Sequence, residues 1–383
     1  MRFSVNFQLP EKIAPRPLLV NIDNTDELIP SDMSLRILFL GENWYGSCAR
    51  ACCFALRRLG CDVTDIDIST MIPQWRQRSN RAIRRMLQSR IVHEYNQLIL
   101  DCASQIKPDI LLAFKGQSVT VATLRKLRSS GIALYNYFPD TIPSEQGNLL
   151  AETIQEYDCV FYTKRFWEAN PPDGLGKRPL VFLPHGYDPE LHRIMELDAR
   201  ETSELTHDVT VIASHTDYKE KVLLELIGLM PKLDLHIYGE RWTCPPRALE
   251  LRSHISGMAL AGSRYAKGVR AARINLAITS WTGRLELDET TTRTYEIPAC
   301  GGFMLHERTP ELLELYEEGS EVAAFGSLEE LASKIEYYLG RPEEREAIAR
   351  AAHVRCVPAY SYDERMKEIL AYATSHGAAH AAD

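Results

Sequence analysis

The sequence predicts an α/β protein made of two doubly wound parallel sheets, and three observations carry that expectation. Short apolar runs with the length of buried strands alternate with helix-length amphipathic segments along most of the chain. The alternation closes at the turn-rich Pro184-His185-Gly186 and then restarts. At 383 residues the chain is long enough for two cores of ordinary size. The expected layout is an arm at 1–34, one Rossmann-like domain at 35–188, a second at 189–360, and a terminal helix with a frayed tail at 361–383.

Composition narrows the function. A net charge of −8 leaves no basic excess to neutralise phosphates, which argues against a dedicated nucleic-acid binder. No apolar run approaches the roughly 20 residues that span a bilayer, and the first ten residues hold no signal-peptide core. The nine cysteines include no paired CxxC spacing, so the simplest expectation is reduced thiols in a cytoplasmic enzyme without a metal site.

In chain order, residues 1–34 hold little core material beyond Leu18-Leu19-Val20 and read as an arm or an extra edge strand. Leu35–Leu40 reads as a buried strand, followed by a loop carrying Glu42, Asn43, Trp44, Tyr45 and Gly46, then a helix through Cys48–Leu59. Strand, glycine-bearing loop and helix is the arrangement that places a ligand at a helix N-terminus. It is not the GxGxxG fingerprint, which makes a nicotinamide or flavin enzyme improbable. Asp65 and Asp67 sit in an alternating run, 63–68, and so read as strand and loop residues rather than as a metal-binding pair. Residues 76–90 carry six arginines beside an apolar face of Ile83, Leu87 and Ile91. That basic face is either solvated or docks an anionic acceptor or a membrane surface. Further strands are expected at 110–114, 132–138, 158–163 and 180–183, with Asp140 just past the second of these.

The second half repeats the pattern, with strands expected at 208–213, 233–238, 274–278, 303–305 and 321–325. The stretch Arg293–Leu305 stands out. Tyr295, Ile297 and Ala299 form the packed side of a short helix that Gly301-Gly302 ends. Glu296 lies inside this apolar helix, an expensive place for a carboxylate unless it binds something. The expected layout is a sugar hydroxyl pair on that carboxylate and a phosphate on the glycine amides.

Arg293-Thr-Tyr-Glu-Ile-Pro-Ala-Cys-Gly-Gly-Phe303 resembles the signature of the CgeB-like, spore-maturation-type glycosyltransferases, a branch of the retaining GT-B enzymes. Asp288-x7-Glu296 is similar to their paired acidic motif, with Asp where the first acid is usually Glu. The resemblance covers most of 35–370 and is specific in 285–372. It implies the GT-B architecture, in which an acceptor-side domain and a nucleotide-sugar domain face each other across a cleft and the terminal helix crosses back to the first. It implies that Glu296 holds the nucleotide ribose, that Asp288 contacts the donor sugar, and that Arg293 offsets the pyrophosphate. Ser214, Lys219, Lys221, Gly239, Arg241, Cys300, Gly301 and Gly302 fall on the donor side. Asp140 and the Glu42–Gly46 loop fall on the acceptor side. The implied reaction moves a sugar from a nucleotide sugar to a glycan or other hydroxyl acceptor, with retention, without metal or cofactor, in surface-glycan synthesis. A peripheral contact with the inner face of a membrane would run through the Arg76–Arg90 helix. Two other functions share the fold or the site: a nucleotide-sugar epimerase or hydrolase, and a non-catalytic carbohydrate- or nucleotide-binding protein.

Overall fold

A computed structural model describes residues 34–71, 81–143, 148–172, 175, 178–242, 249–257, 259–280 and 288–377. The expected arm (1–34) lies almost wholly outside the described residues, as do most of the side chains of the arginine-rich segment. The chain divides at His185/Gly186 and again at Ser361/Tyr362, giving one unit of 186–361 and one that joins the preceding residues to the C-terminal segment.

The first unit contains β1 (Arg36–Leu40), α1 (Cys48–Arg58), β2 (Asp62–Ile66), α2 (Arg81–Ile106), β3 (Ile110–Phe114), α3 (Val121–Ser129), β4 (Ala133–Phe138), α4 (Asn148–Thr153), β5 (Cys159–Tyr162) and β6 (Leu180–Phe182). Its strands form one parallel sheet in the order β2-β1-β3-β4-β5-β6. β3 is buried along its whole length, as its unbroken apolar sequence requires of a strand covered on both faces. Ser47 starts α1 by accepting a hydrogen bond from the Arg50 amide at 3.0 Å.

The second unit contains α5 (Ala199–Leu205), β7 (Val209–Ile212), α6 (Asp217–Leu229), β8 (Leu235–Tyr238), β9 (Ile255–Gly257), α7 (Ser263–Ala271), β10 (Ile274–Ala277), α8 (Arg293–Ala299), β11 (Met304–Glu307), α9 (Pro310–Leu315), β12 (Ala323–Phe325), α10 (Leu328–Leu339) and α11 (Pro342–Cys356). Its sheet is again parallel, in the order β12-β11-β10-β7-β8-β9. Edge strand β9 escapes the sequence patterns because three residues are too few to show a period. In this order the chain winds outward from β7 in one direction and from β10 in the other. The topological switch point therefore lies between β7 and β10, and the crevice beyond the carboxyl ends of such strands is where ligands bind. In the first sheet the equivalent switch lies between β1 and β3.

The terminal helix α12 (Tyr362–Gly377) packs on the first unit, not on the unit it directly follows. Tyr362, Met366, Ile369, Leu370 and Ala373 join α1 in one buried cluster. Arg58 at the end of α1 donates to Asp363 at 3.0 Å. Met366 is 0% exposed. Met366→Ala is therefore expected to cost about 2–5 kcal/mol, the range for truncating a buried methionine. Denaturant titration followed by circular dichroism measures it; a loss well under 1 kcal/mol would contradict this docking of α12.

Candidate functional site

The carboxyl ends of β7, β10 and β11 carry a connected set of polar side chains. Glu307, at the end of β11, is 8% exposed and accepts hydrogen bonds from the Thr279 amide (2.7 Å), the Thr279 hydroxyl and the Tyr218 hydroxyl. Three donors around one carboxylate offset its desolvation and hold the end of β10 to the start of α6. Burial, and then the Glu307 charge, push the Tyr218 hydroxyl far above its ordinary pKa, so it stays a donor. One residue further on, Lys219 is 2% exposed and donates from Nζ to Ser280 Oγ at 2.9 Å. That bond bridges the first turn of α6 and the loop after β10, at the switch point itself.

Lys219 and Lys221 thus part ways. Lys221 is half exposed and lies 4.0 Å from Glu225 on the outer side of α6. The helix turns these two lysines about 200° apart, so only Lys219 reaches the strand ends. Ser214 and Arg241 are exposed beyond β7 and β8, Arg241 with a φ of 64°. Gly239 has a packing role rather than a lining one: a Cβ there would sit 2.0 Å from the Ala213 carbonyl oxygen.

The acidic pair flanks the N-terminal end of α8. Asp288 is 5% exposed. The residues after it are fastened to α9: the Glu289 carboxylate accepts from the Glu311 amide at 2.9 Å, and the Thr290 hydroxyl donates to Glu311 at 2.9 Å. The α8 helix is itself tied down from below. His306 Nε2 lies 2.9 Å from the Thr294 hydroxyl, Tyr316 donates to the Thr294 carbonyl at 3.0 Å, and Tyr295 is fully buried. Glu296 is only partly buried, on the side of α8 that faces α7. There the Tyr265 hydroxyl is pushed far above its ordinary pKa by burial and by the Glu296 charge. The Arg293 charge acts on Tyr265 in the opposite sense, so Glu296, Arg293 and Tyr265 form one electrostatic group.

The glycine expectation is overturned. The Gly301 amide donates to the Pro298 carbonyl at 2.9 Å and the Gly302 amide to the Ile297 carbonyl at 3.1 Å. Both N–H groups close the C-terminal end of α8 and are not available to a phosphate. That end also carries the negative pole of the helix, the wrong sign for an anion. The glycines are there for space: a Cβ on Gly302 would meet Val269 Cγ1 at 2.4 Å, and Gly301 has a φ of 71°. Cys300 is wholly buried in the core, its thiol pushed far above its ordinary pKa by burial, and it offers no donor contact.

In the first unit, Trp44 and Tyr45 are half exposed on the loop after β1, and Gly46 turns that loop with a φ of 97°. The Trp44 indole N–H donates to Glu42 at 3.2 Å. Asn43 is held by its amide to Asp67 and by its side chain to Asp65, each at 3.0 Å. Asp65 and Asp67 thus act as struts for the loop. Asp140 lies 2.9 Å from the Lys115 ammonium, which joins the ends of β3 and β4. In the arginine-rich segment, 76–80 fall outside the described residues and Arg90 is exposed and paired with Glu94. No helix among the described residues is long and apolar enough to cross a membrane.

Comparison with known proteins fixes the class. Residues 219–371 match the family model described as glycosyl transferase-like. Sucrose-phosphate synthase from Thermosynechococcus elongatus superposes over 90% of this chain and all of its own, with a TM-score of 0.63 at 12% identity. HepE from Anabaena, solved in complex with UDP-glucose, superposes over 89% of this chain and all of its own, with a TM-score of 0.61 at 13% identity. The superpositions show the GT-B fold, and with it the family match over the second unit supports a glycosyltransferase. Within that class the chain is similar to Spore protein CgeB of Bacillus subtilis (strain 168): 28% identical over 277 residues, covering 67% of this chain and 80% of that protein. The likeness expected from Arg293–Phe303 therefore holds.

His306, beneath α8, yields a pH prediction. It is fully buried, and burial pushes its pKa down from 6.5 to about 4. The folded state therefore binds fewer protons than the unfolded state between those values, so its contribution is complete above about 6.5 and is lost as pH falls toward 4. The difference corresponds to about 3 kcal/mol. Unfolding free energies measured at pH 7 and pH 4.5 should show this fall, and His306→Asn should flatten it. A second expectation separates packing from binding at the glycines. Gly302→Ala should lower stability by about 1–3 kcal/mol through overpacking, while nucleotide affinity of the folded fraction stays unchanged.

Proposed function

We propose that the second unit holds a nucleoside-diphosphate sugar and that the enzyme transfers the sugar, with retention and without a catalytic metal, to a hydroxyl of a glycan or similar acceptor. One observation carries this reading: a partly exposed carboxylate, Glu296, shares one short helix with Arg293, at the strand ends where the buried Lys219 also lies. Two positive charges and one negative charge are what a diphosphate joined to a ribose calls for. The C-terminal end of α8 repels an anion, so we place the diphosphate near its N-terminal end, beside the Arg293 guanidinium. Glu296 then accepts from the ribose hydroxyls, and Asp288 orients the sugar.

Breaking the anomeric C–O bond develops oxocarbenium character on the sugar and negative charge on the diphosphate. Arg293 and Lys219 stabilise that charge in a site already ordered by Glu307 and α9, which lowers the barrier without reorganisation. The acceptor oxygen forms the new bond on the face the diphosphate leaves, and its proton passes to a phosphate oxygen. No protein base is required. On the acceptor side we place Asp140 and the Glu42–Gly46 loop, on the strength of their position at strand ends of the first sheet. In this reading the enzyme works in the cytoplasm on a surface glycan or coat, and the similarity to a protein named Spore protein CgeB is what suggests a coat.

The experiment is calorimetry with UDP, GDP, ADP and TDP, followed by product analysis with the matching nucleotide sugars. UDP comes first because HepE was solved with UDP-glucose. Glu296→Ala should weaken nucleoside-diphosphate binding by about 1–3 kcal/mol, the worth of charged hydrogen bonds. Unchanged affinity in a folded variant would remove the ribose from Glu296. Inversion of the donor sugar in the absence of any acceptor would replace transfer by epimerisation.

A further inference from the structure

At the amino-terminal edge of the second sheet, away from the strand ends that hold the proposed donor site, two histidines and an aspartate converge. His207 precedes β7, Asp234 precedes β8 and His236 lies in β8. One nitrogen or oxygen from each falls within 4.8 Å of the others. Asp234 is the centre: its Oδ1 lies 3.0 Å from His236 Nε2, and its Oδ2 lies 3.8 Å from His207 Nδ1 and accepts from the Asp208 amide at 3.2 Å. The far nitrogen of each ring is held by a hydroxyl. His207 Nε2 lies 3.2 Å from the Tyr238 hydroxyl, and His236 Nδ1 lies 2.6 Å from Ser256 Oγ on β9.

We propose that His207, Asp234 and His236 bind a divalent first-row transition cation such as Zn²⁺, Ni²⁺ or Co²⁺. The far-side hydroxyls offer acceptors for a ring proton, as partners behind metal-bound histidines do; without an ion His236 Nε2 donates to the Asp234 carboxylate, and a bound cation would take the place of that proton. Two imidazoles and one carboxylate select borderline cations over Mg²⁺ or Ca²⁺, which prefer all-oxygen shells. The rings are stacked, 3.3 Å between centroids and 7° from parallel, so their lone pairs lie in separate planes. One ring must turn for both to meet a single ion. His236 is the one that can, since its side chain is 30% exposed against 10% for His207. Water completes the shell on the open side, where Asp234 is 48% exposed.

Such an ion would pin the start of β7 to β8 without touching the donor. The test uses untagged, chelator-treated full-length protein, titrated with ZnCl₂ and with CoCl₂ in a calorimeter. One equivalent should bind at this site, Co²⁺ should give a visible absorption band, and Zn²⁺ should raise the melting temperature. His236→Ala and Asp234→Asn should each weaken that binding at least tenfold, with loss of both the band and the thermal shift. No binding to the wild type, or the same stoichiometry and affinity in His236→Ala, would overturn the site. Neither result depends on the donor reading, because no nucleotide enters the measurement.

Discussion

Glu307 is the buried charge on which the donor-side geometry depends. A carboxylate that is 8% exposed is tolerable only when its oxygens are engaged, and here Thr279 and Tyr218 engage them. Those two residues belong to different elements, the end of β10 and the first turn of α6. The same carboxylate therefore decides where Lys219 stands and that Ser280 lies within its reach. Two loops that the sheet topology only brings near each other become a fixed pair. The electrostatics of the crevice follow from that, since a lysine held at 2% exposure keeps its charge at one place instead of averaging it over the surface.

The polarity of α8 supplies the second constraint. Seven residues are too few for a strong macrodipole, yet the orientation of the terminal amides and carbonyls does not depend on length. Its last amides bond backward within the helix, and the Thr294, Tyr295 and Glu296 amides bond back to the Thr291 and Thr292 carbonyls. Of its two charged side chains, Glu296 in the first turn agrees with that direction and Arg293 at the start opposes it, so the arginine's place is not set by the helix. Arg293 stands at the start, while Glu296, one turn later, looks sideways toward Tyr265 and not along the axis. His306, Tyr316 and Cys356 fasten the same helix from the core, the last by a thiol contact with the Tyr295 carbonyl at 3.3 Å. A helix held by three elements can present two opposite charges a turn apart without either side chain collapsing onto the other.

Much of this was legible in the sequence, and what was not has identifiable physical causes. Alternating apolar runs are a property of residue type, so β1, β3, β4, β7 and β10 could be placed within a residue or two. Glu296 was legible because a carboxylate among Tyr295, Ile297 and Ala299 breaks a pattern. The fate of the glycine amides was not, because residue type does not say whether an N–H group is already bonded. Glycine marks a place where a side chain cannot go, and at Gly239 and Gly302 the obstacle is the protein's own backbone and side chains. Glu307 ends an apolar run and looks in sequence like the onset of a polar loop. His207, Asp234 and His236 come together only through the register that sets Val209 against Leu235, and no local spacing announces that.

Asp65-Ile66-Asp67 shows the same principle from the other side. Two aspartates in a DxD spacing are a metal-binding motif in one fold, yet here parallel pairing puts Phe39 opposite Asp65 and Leu40 opposite Ile66. That register carries Asp65 and Asp67 up beside the loop that leaves β1, where Asn43 meets both. Arg57 from α1 pairs with the remaining Asp65 oxygen, so the carboxylates face an amide, an arginine and a side-chain amide instead of an ion. Their effect is to stiffen the turn that exposes Trp44 and Tyr45, at the switch point of the first sheet. A spacing in sequence becomes chemistry only after the sheet register decides what stands across from it. In this chain that register makes a support for the acceptor-side loop.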